Sequence, residues 1–225
     1  NNTGTAGDLL VVSYWKSRDD SPHSTASITY GGVALTERVN QANFYGGDQA
    51  AAVWTLDNPA TGANDLIISL NGISNTNLVW YASILRGANN TTFGATNNNA
   101  TDTSTTGPIT LVTTVNLSWH FSLQTINAAG LGTLTSADAT ILSQNAGTSF
   151  GAQSAIDYTE VTVAGSDTNT LAWDASSQQY ASISLEIEVA ASPVAKVGGI
   201  LYSNLNKVNS IAKASIAKVG GIKTS

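Results

Sequence analysis

Between Asp8 and Val189 the chain is a succession of short segments rich in β-branched and aromatic residues, each ended by Gly, Asn, Asp or Pro. Eleven can be marked, from DLLVVSYW at the start through ASITY, VALTERV, AAAVWTL, DLIISL, LVWYASIL, ITLVTTV, LSWHFSLQ, AIDYTEVTV and NTLAW to YASISLEIEV. None carries a helical period, apart from a turn or two around TSADATILS that Ser136 could cap. Many alternate. In LSWHFSLQ, Leu117, Trp119, Phe121 and Leu123 face one way and Ser118, His120, Ser122 and Gln124 the other, which predicts one packed and one solvated face. Eleven strands without crossover helices predict two packed antiparallel sheets, an all-β sandwich of jelly-roll type. An immunoglobulin-like sandwich, or two small sandwiches in tandem, are the alternatives. No linker interrupts the run before AASPVA at 190–195, so residues 1–190 read as one domain and 191–225 as a tail. The Asn/Thr-rich stretch at 88–108 reads as a long surface loop.

Charged residues make up only 11% of the chain, against about 25% in ordinary globular proteins. The surface must therefore be Thr, Ser, Asn, Gln and Gly, which suits an extracellular, cell-surface or virion protein. Cysteine is absent, which excludes disulfides and thiolate chemistry. Methionine is absent even at position 1, so the chain is expected to begin after a removed leader or to be a fragment. The longest apolar runs fall far short of the roughly 20 residues that span a bilayer, so no membrane span is expected. The net charge of −6 hides a split: four basic residues stand against all fifteen acids through Ser192, and five lysines with no acid follow.

The stretch SITYGGVALTERV, followed by AAVWTLDNPATGANDLIISL, resembles a domain that recurs in bacterial secreted and surface proteins and in phage tail and fibre proteins. The likeness rests on Tyr30-Gly31-Gly32 before a strand and on Trp54-Thr55-Leu56-Asp57-Asn58-Pro59 after one, and covers roughly residues 8–189. It implies a jelly-roll sandwich without a shared catalytic site. Gly31-Gly32 permits the positive φ of a two-residue hairpin turn, and Pro59 closes a strand.

Chemistry is sparse. His23 and His120 are the only histidines, and no G-x-S-x-G elbow appears. Glu186 and Glu188 alternate with Leu185, Ile187 and Val189, as solubilising charges that discourage edge pairing. No convergent set of nucleophile, base and orienting group emerges, so an enzyme is not expected. A structural calcium could sit in the loops holding Asp19, Asp20, Asp48 or Asp167, although turns select Asp for their own hydrogen bonds. The five tryptophans lie inside strands, where burial is the default. Phe44 and Tyr45, in the turn-rich NFYGG, are the candidates for contact with a glycan or partner. An acidic body without a basic aromatic patch argues against nucleic acid.

The ending repeats itself. Lys196-VGGI, Lys207-VNSI and Lys218-VGGI recur every 11 residues, and Leu205 and Ile216 match at the tenth position. The repeats resemble those ending phage tail and fibre proteins. Helical spacing is conceivable, but Gly-Gly doublets disfavour a helix and fall, with Asn209-Ser210, where hairpin turns would be. Strands over 200–208 and 211–219 would follow. So short an array cannot bury Val197, Ile200, Leu201, Val208, Ile211, Val219 and Ile222 within itself. Those residues, with the three lysines, Leu205 and Ile216, are expected to join neighbouring copies by strand addition. The expected function is a structural, self-assembling subunit of an extracellular filament or a virion appendage such as a tail fibre. The alternative is a carbohydrate-binding or adhesive module of a secreted surface protein, with surface glycans as partners.

Overall fold

The structure is a computed structural model; it describes residues 8–17, 25–44, 49–70, 77–86, 88–104, 106–126, 133–145, 153–173 and 178–189, and short paired segments of the tail. The chain divides into two compact units, Asn1–Val189 and Ala190–Ser225. No helix occurs among the described residues, and every paired strand is antiparallel.

In the first unit, β1 (Leu9–Ser17), β4 (Thr36–Phe44), β5 (Gln49–Asp57) and β7 (Asn77–Leu85) form a central sheet in the order β4-β5-β1-β7. The small sheet β3-β2-β6 lies outside it, built from β2 (Thr25–Tyr30), β3 (Val33–Ala34) and β6 (Leu66–Leu70). A second central sheet has the order β12-β13-β10-β15-β8. Its strands are β8 (Ala88–Ser104), β10 (Ser118–Ile126), β12 (Thr140–Asn145), β13 (Gln153–Val161) and β15 (Gln178–Val189). Outside that one lies β11-β14-β9, from β9 (Thr106–Val112), β11 (Thr135–Ser136) and β14 (Ser166–Ala172).

The antiparallel all-β class read from the sequence holds, and the stack is deeper than two layers. Three apolar cores separate four sheets. The central one joins Leu9, Val11, Trp15 and Val53 to Phe121, Leu123, Ile183 and Leu185. A second packs Leu10, Val12, Tyr14 and Trp54 against Ile28, and a third packs Ile126 and Ala155 against Leu171 and Trp173. The strands β1, β10 and β15 are therefore covered on both faces, which is why Leu9 through Lys16 are all buried. The connectivity also repeats. The path β1, β2, β4, β5, β6, β7 visits central and outer sheets in the same sequence as β10, β11, β12, β13, β14, β15, and the orders β4-β5-β1-β7 and β12-β13-β10-β15 correspond. The two halves share one central core, so no linker was needed between them. The first and last strands, β1 and β15, are not hydrogen-bonded neighbours; they sit in facing sheets and meet in that core.

Local chemistry explains the turns. Gly31 and Gly32 have φ of +56° and +80° and join β2 to β3 with Tyr30 opposite Val33. Nothing lies within 4 Å of where a Cβ on Gly32 would sit, so Gly32→Ala meets only backbone strain. A loss of about 1 kcal/mol is expected in urea unfolding, and an unchanged midpoint would contradict the left-handed turn. Asn58 takes φ +47° and its N–H donates to the Asp8 carbonyl at 2.9 Å, so Asn58-Pro59 ends β5.

Three sequence expectations are corrected. The Asn/Thr stretch at 88–108 is not a loop but largely β8, the longest strand, paired with β15 through three register shifts. Its side chains serve as ties: the Asn97 amide donates to the Thr110 carbonyl, and that of Asn99 to Pro108 and the Tyr180 hydroxyl. TSADATILS forms no helical turn; Ser136 accepts from the Ala139 N–H within the turn between β11 and β12. Trp80 is 52% exposed on edge strand β7, while Leu78 and Ile84 on the same face of that strand pack against the second core.

In the tail, β16 (Lys196–Val197) pairs with β17 (Ile200–Leu201), β18 (Lys207–Val208) with β19 (Ile211–Ala212), and β20 (Lys218–Val219) with β21 (Ile222–Lys223). Each ladder is two residues long with two residues between its strands, so the repeat period is one small hairpin. The ends of the strands expected over 200–208 and 211–219 are paired, while their middles, 202–206 and 213–217, with Leu205 and Ile216, lie outside the described residues.

Candidate functional site

Two places in the body gather polar or aromatic groups. The first is the layer between the second central sheet and its outer sheet, where the face expected to be wet is dry. His120 is 0% exposed, and Ser118, Ser122 and Gln124 are buried with it, because β9 and β14 cover that face. Asp157, opposite Ser122 on β13, accepts hydrogen bonds from Ser122 Oγ, from Gln124 Nε2 at 2.8 Å and from Asn169 Nδ2 at 3.1 Å. Burial pushes its carboxyl up to about 6, and the three donors hold it from rising further. His120 Nδ1 lies 2.7 Å from Asp167 Oδ2. Burial lowers the pKa of His120, and Asp167 opposes that fall. A His–Asp pair is half of a proton relay, but Ser122 is turned to Asp157 and both are fully buried.

Glu186 lies at the end of this layer and is also fully buried, which corrects its reading as a solubilising edge charge; β15 runs between β10 and β8 and is no edge. The ladder with β8 slips between Leu185 and Ile187, so Gly94 and Ala95 bulge opposite Glu186. Its carboxylate accepts from the Ala95 N–H at 2.9 Å, from the Thr114 N–H at 2.9 Å, from Thr114 Oγ1 at 2.8 Å and from the Val115 N–H at 3.1 Å. Burial alone would raise its pKa; these donors outweigh it and hold the carboxyl below its usual range. The bulge needs Gly94, since a Cβ there would collide with Glu186 Oε2.

The second place is a groove of about 310 Å³ at the open side of the two central sheets. The five-stranded sheet is one strand wider than the four-stranded one. The Tyr81 hydroxyl donates to the Ser154 carbonyl at 2.8 Å, which sets β7 over β13 and leaves β12 beyond it. Ile84, Leu85 and Arg86 form one wall, and Trp119, Phe121, Leu142, Tyr158 and Glu160 the floor. Arg86 reaches Asp8 at 4.0 Å. The opposite side of the sandwich is closed, with the Arg38 guanidinium 3.8 Å above the Phe93 ring.

The residues singled out from sequence are scattered differently. Phe44 ends β4, and Tyr45 lies outside the described residues, as do Asp19, Asp20 and Asp48. Asp167 is engaged by His120. Among the described residues no group of three or more His, Asp or Glu is placed to hold a metal ion. No helix among them is long and apolar enough to cross a membrane. Sequence reasoning missed both the polar layer and the groove, because alternation of Ser, His and Gln reads the same under solvent or under a sheet. No protein-family model, curated protein or solved structure matches the chain.

Proposed function

We propose that the protein is a structural, non-catalytic subunit of an extracellular filament or virion appendage, and that its C-terminal repeats join one copy to the next. The observation that carries this reading is the tail: three hairpins at an 11-residue period, each with only two residue pairs. Isolated hairpins of that size are not stable in water, so they need a host surface. An acidic body and a wholly basic tail supply attraction between copies. A buried polar layer whose Ser122 and Asp157 bond to each other fits a structural role. The second reading, a carbohydrate-binding module, draws on Trp119 and Tyr158 beside Arg86 and Glu160 in the groove, since aromatic faces stack on sugars.

The test is truncation. Full-length protein should form defined oligomers or ordered polymers by light scattering and electron microscopy. A chain ending at Ser192 should keep its β circular dichroism and become monomeric. The same oligomer from both chains, or a monomeric full-length chain, would refute the proposal.

A further inference from the structure

We infer that the open edge of β7, with the groove beside it, is the acceptor on which an extended tail segment of a second copy pairs. This rests on the assembly reading above and gives it a place on the body.

Sheet edges are normally blunted, because a bare row of N–H and C=O groups templates foreign strands. Three of the four central-sheet edges are blunted here. The ladder of β4 breaks register twice and carries Glu37 and Arg38; that of β8 breaks three times; that of β12 breaks once. By contrast β7 pairs with β1 over nine residues without a shift, and Asn77–Leu85 contains no charge, proline or glycine. Trp80 stands exposed on it.

Among the described strands only β12 extends past β7, so the neighbouring groove is one strand wide. Pairing of β7 with β7 of a second copy would push the two β12 strands into the same space. An extended segment has room. With side chains alternating across a strand, its inward residues would fall on Trp119, Phe121, Tyr158 and Leu142. Lys207 and Ile211 of the tail, four residues apart, share one face of such a strand: Ile211 is β-branched and suited to that floor, Lys207 brings a positive charge to exposed Glu160, and Val208 falls on the opposite face, the side of Ala82. The groove's aromatic floor would equally admit a sugar ring, but sugar recognition does not explain an unblunted nine-residue edge.

The absence of cysteine makes a cross-linking test clean. Full-length Ala82→Cys would be mixed with full-length Val208→Cys under mild oxidation, with exposed Val163→Cys as the control acceptor. The expected result is a disulfide heterodimer enriched about tenfold over the control, from the raised effective concentration of a docked tail. No enrichment, with wild-type protein still oligomeric by light scattering, would overturn the acceptor and leave the assembly reading standing. A monomeric wild type would overturn both. Dominant Ala82→Cys self-coupling would show β7 pairing with β7 and exclude the tail. The last outcome concerns sugar: cellohexaose changing tryptophan fluorescence, abolished by the groove-filling Leu142→Trp while the oligomer persists, would assign the groove to a glycan and overturn the proposal.

Discussion

Replacing Glu186 with alanine is expected to destabilise the body by about 3–5 kcal/mol: three backbone N–H groups and a hydroxyl lose their shared charged acceptor, bonds worth about 1.5–3 kcal/mol each, and the donors, only partly buried, recover some of that from water. The backbone donors are those of Ala95 at the bulge and of Thr114 and Val115 in the connection between β9 and β10. Whole domains are stable by only about 5–15 kcal/mol, so the variant should be marginal or unfolded. Gly94→Ala should act in the same direction, since its methyl group would displace the carboxylate. Because the folded state holds the Glu186 carboxyl below its ordinary 4.5, its contribution is complete above that pH and is lost as pH falls further. Urea unfolding of both variants at neutral pH checks this. A loss below about 1 kcal/mol would mean that water replaces the carboxylate at the bulge.

Asp157→Asn should shift stability in the opposite sense and with pH. Burial pushes the Asp157 carboxyl from an ordinary 3.8 up to about 6, so the folded protein binds that proton more tightly than the unfolded chain. The group therefore favours folding below the unfolded value, and this contribution is lost as pH rises through the folded one. Two pKa units correspond to about 3 kcal/mol. Relative to wild type, Asp157→Asn should gain up to that amount between pH 4 and pH 7. Among the described residues the Gln124 carbonyl oxygen has no partner, so its amide can turn to accept from the new side chain. His120, whose lowered pKa favours folding above 6.5 and is lost as pH falls, remains in both proteins and drops out of the comparison. Urea unfolding of the two proteins at both pH values gives the difference directly. A pH-independent difference would mean that Asp157 does not carry a buried charge.

The depth of the stack bears on how the chain manages stability without disulfides. Strands β1, β10 and β15 bury both faces, so each half lends its central sheet to one shared core. Polar residues then had to be buried somewhere. They are concentrated in one layer and largely paired, while Ser182, Ser184, His120 Nε2 and Gln124 Oε1 lack partners among the described residues. Buried polar atoms of this kind commonly hold internal water.

The sequence by itself determined the class of the fold and the position of most strands. All eleven marked segments became strands, the Gly31-Gly32 doublet became a positive-φ hairpin, and Pro59 followed the end of β5. These are local properties, set by alternation, β-branching and the φ that glycine allows. The split between acidic body and basic tail was equally plain in the residue order. Only the tertiary structure decided what covers each face. The alternation of Ser118, His120, Ser122 and Gln124 states that four polar groups share a side; whether that side meets water or β9 and β14 depends on segments tens of residues away. The same holds for β8, whose Asn and Thr residues carry no apolar stripe and pair because β15 offers them an edge. It holds for Glu186, an acid whose partners are backbone N–H groups that no sequence pattern announces. The groove has the same origin: it exists because one central sheet has a strand more than the other, and the number of strands in a sheet is settled by long-range pairing, not by local period.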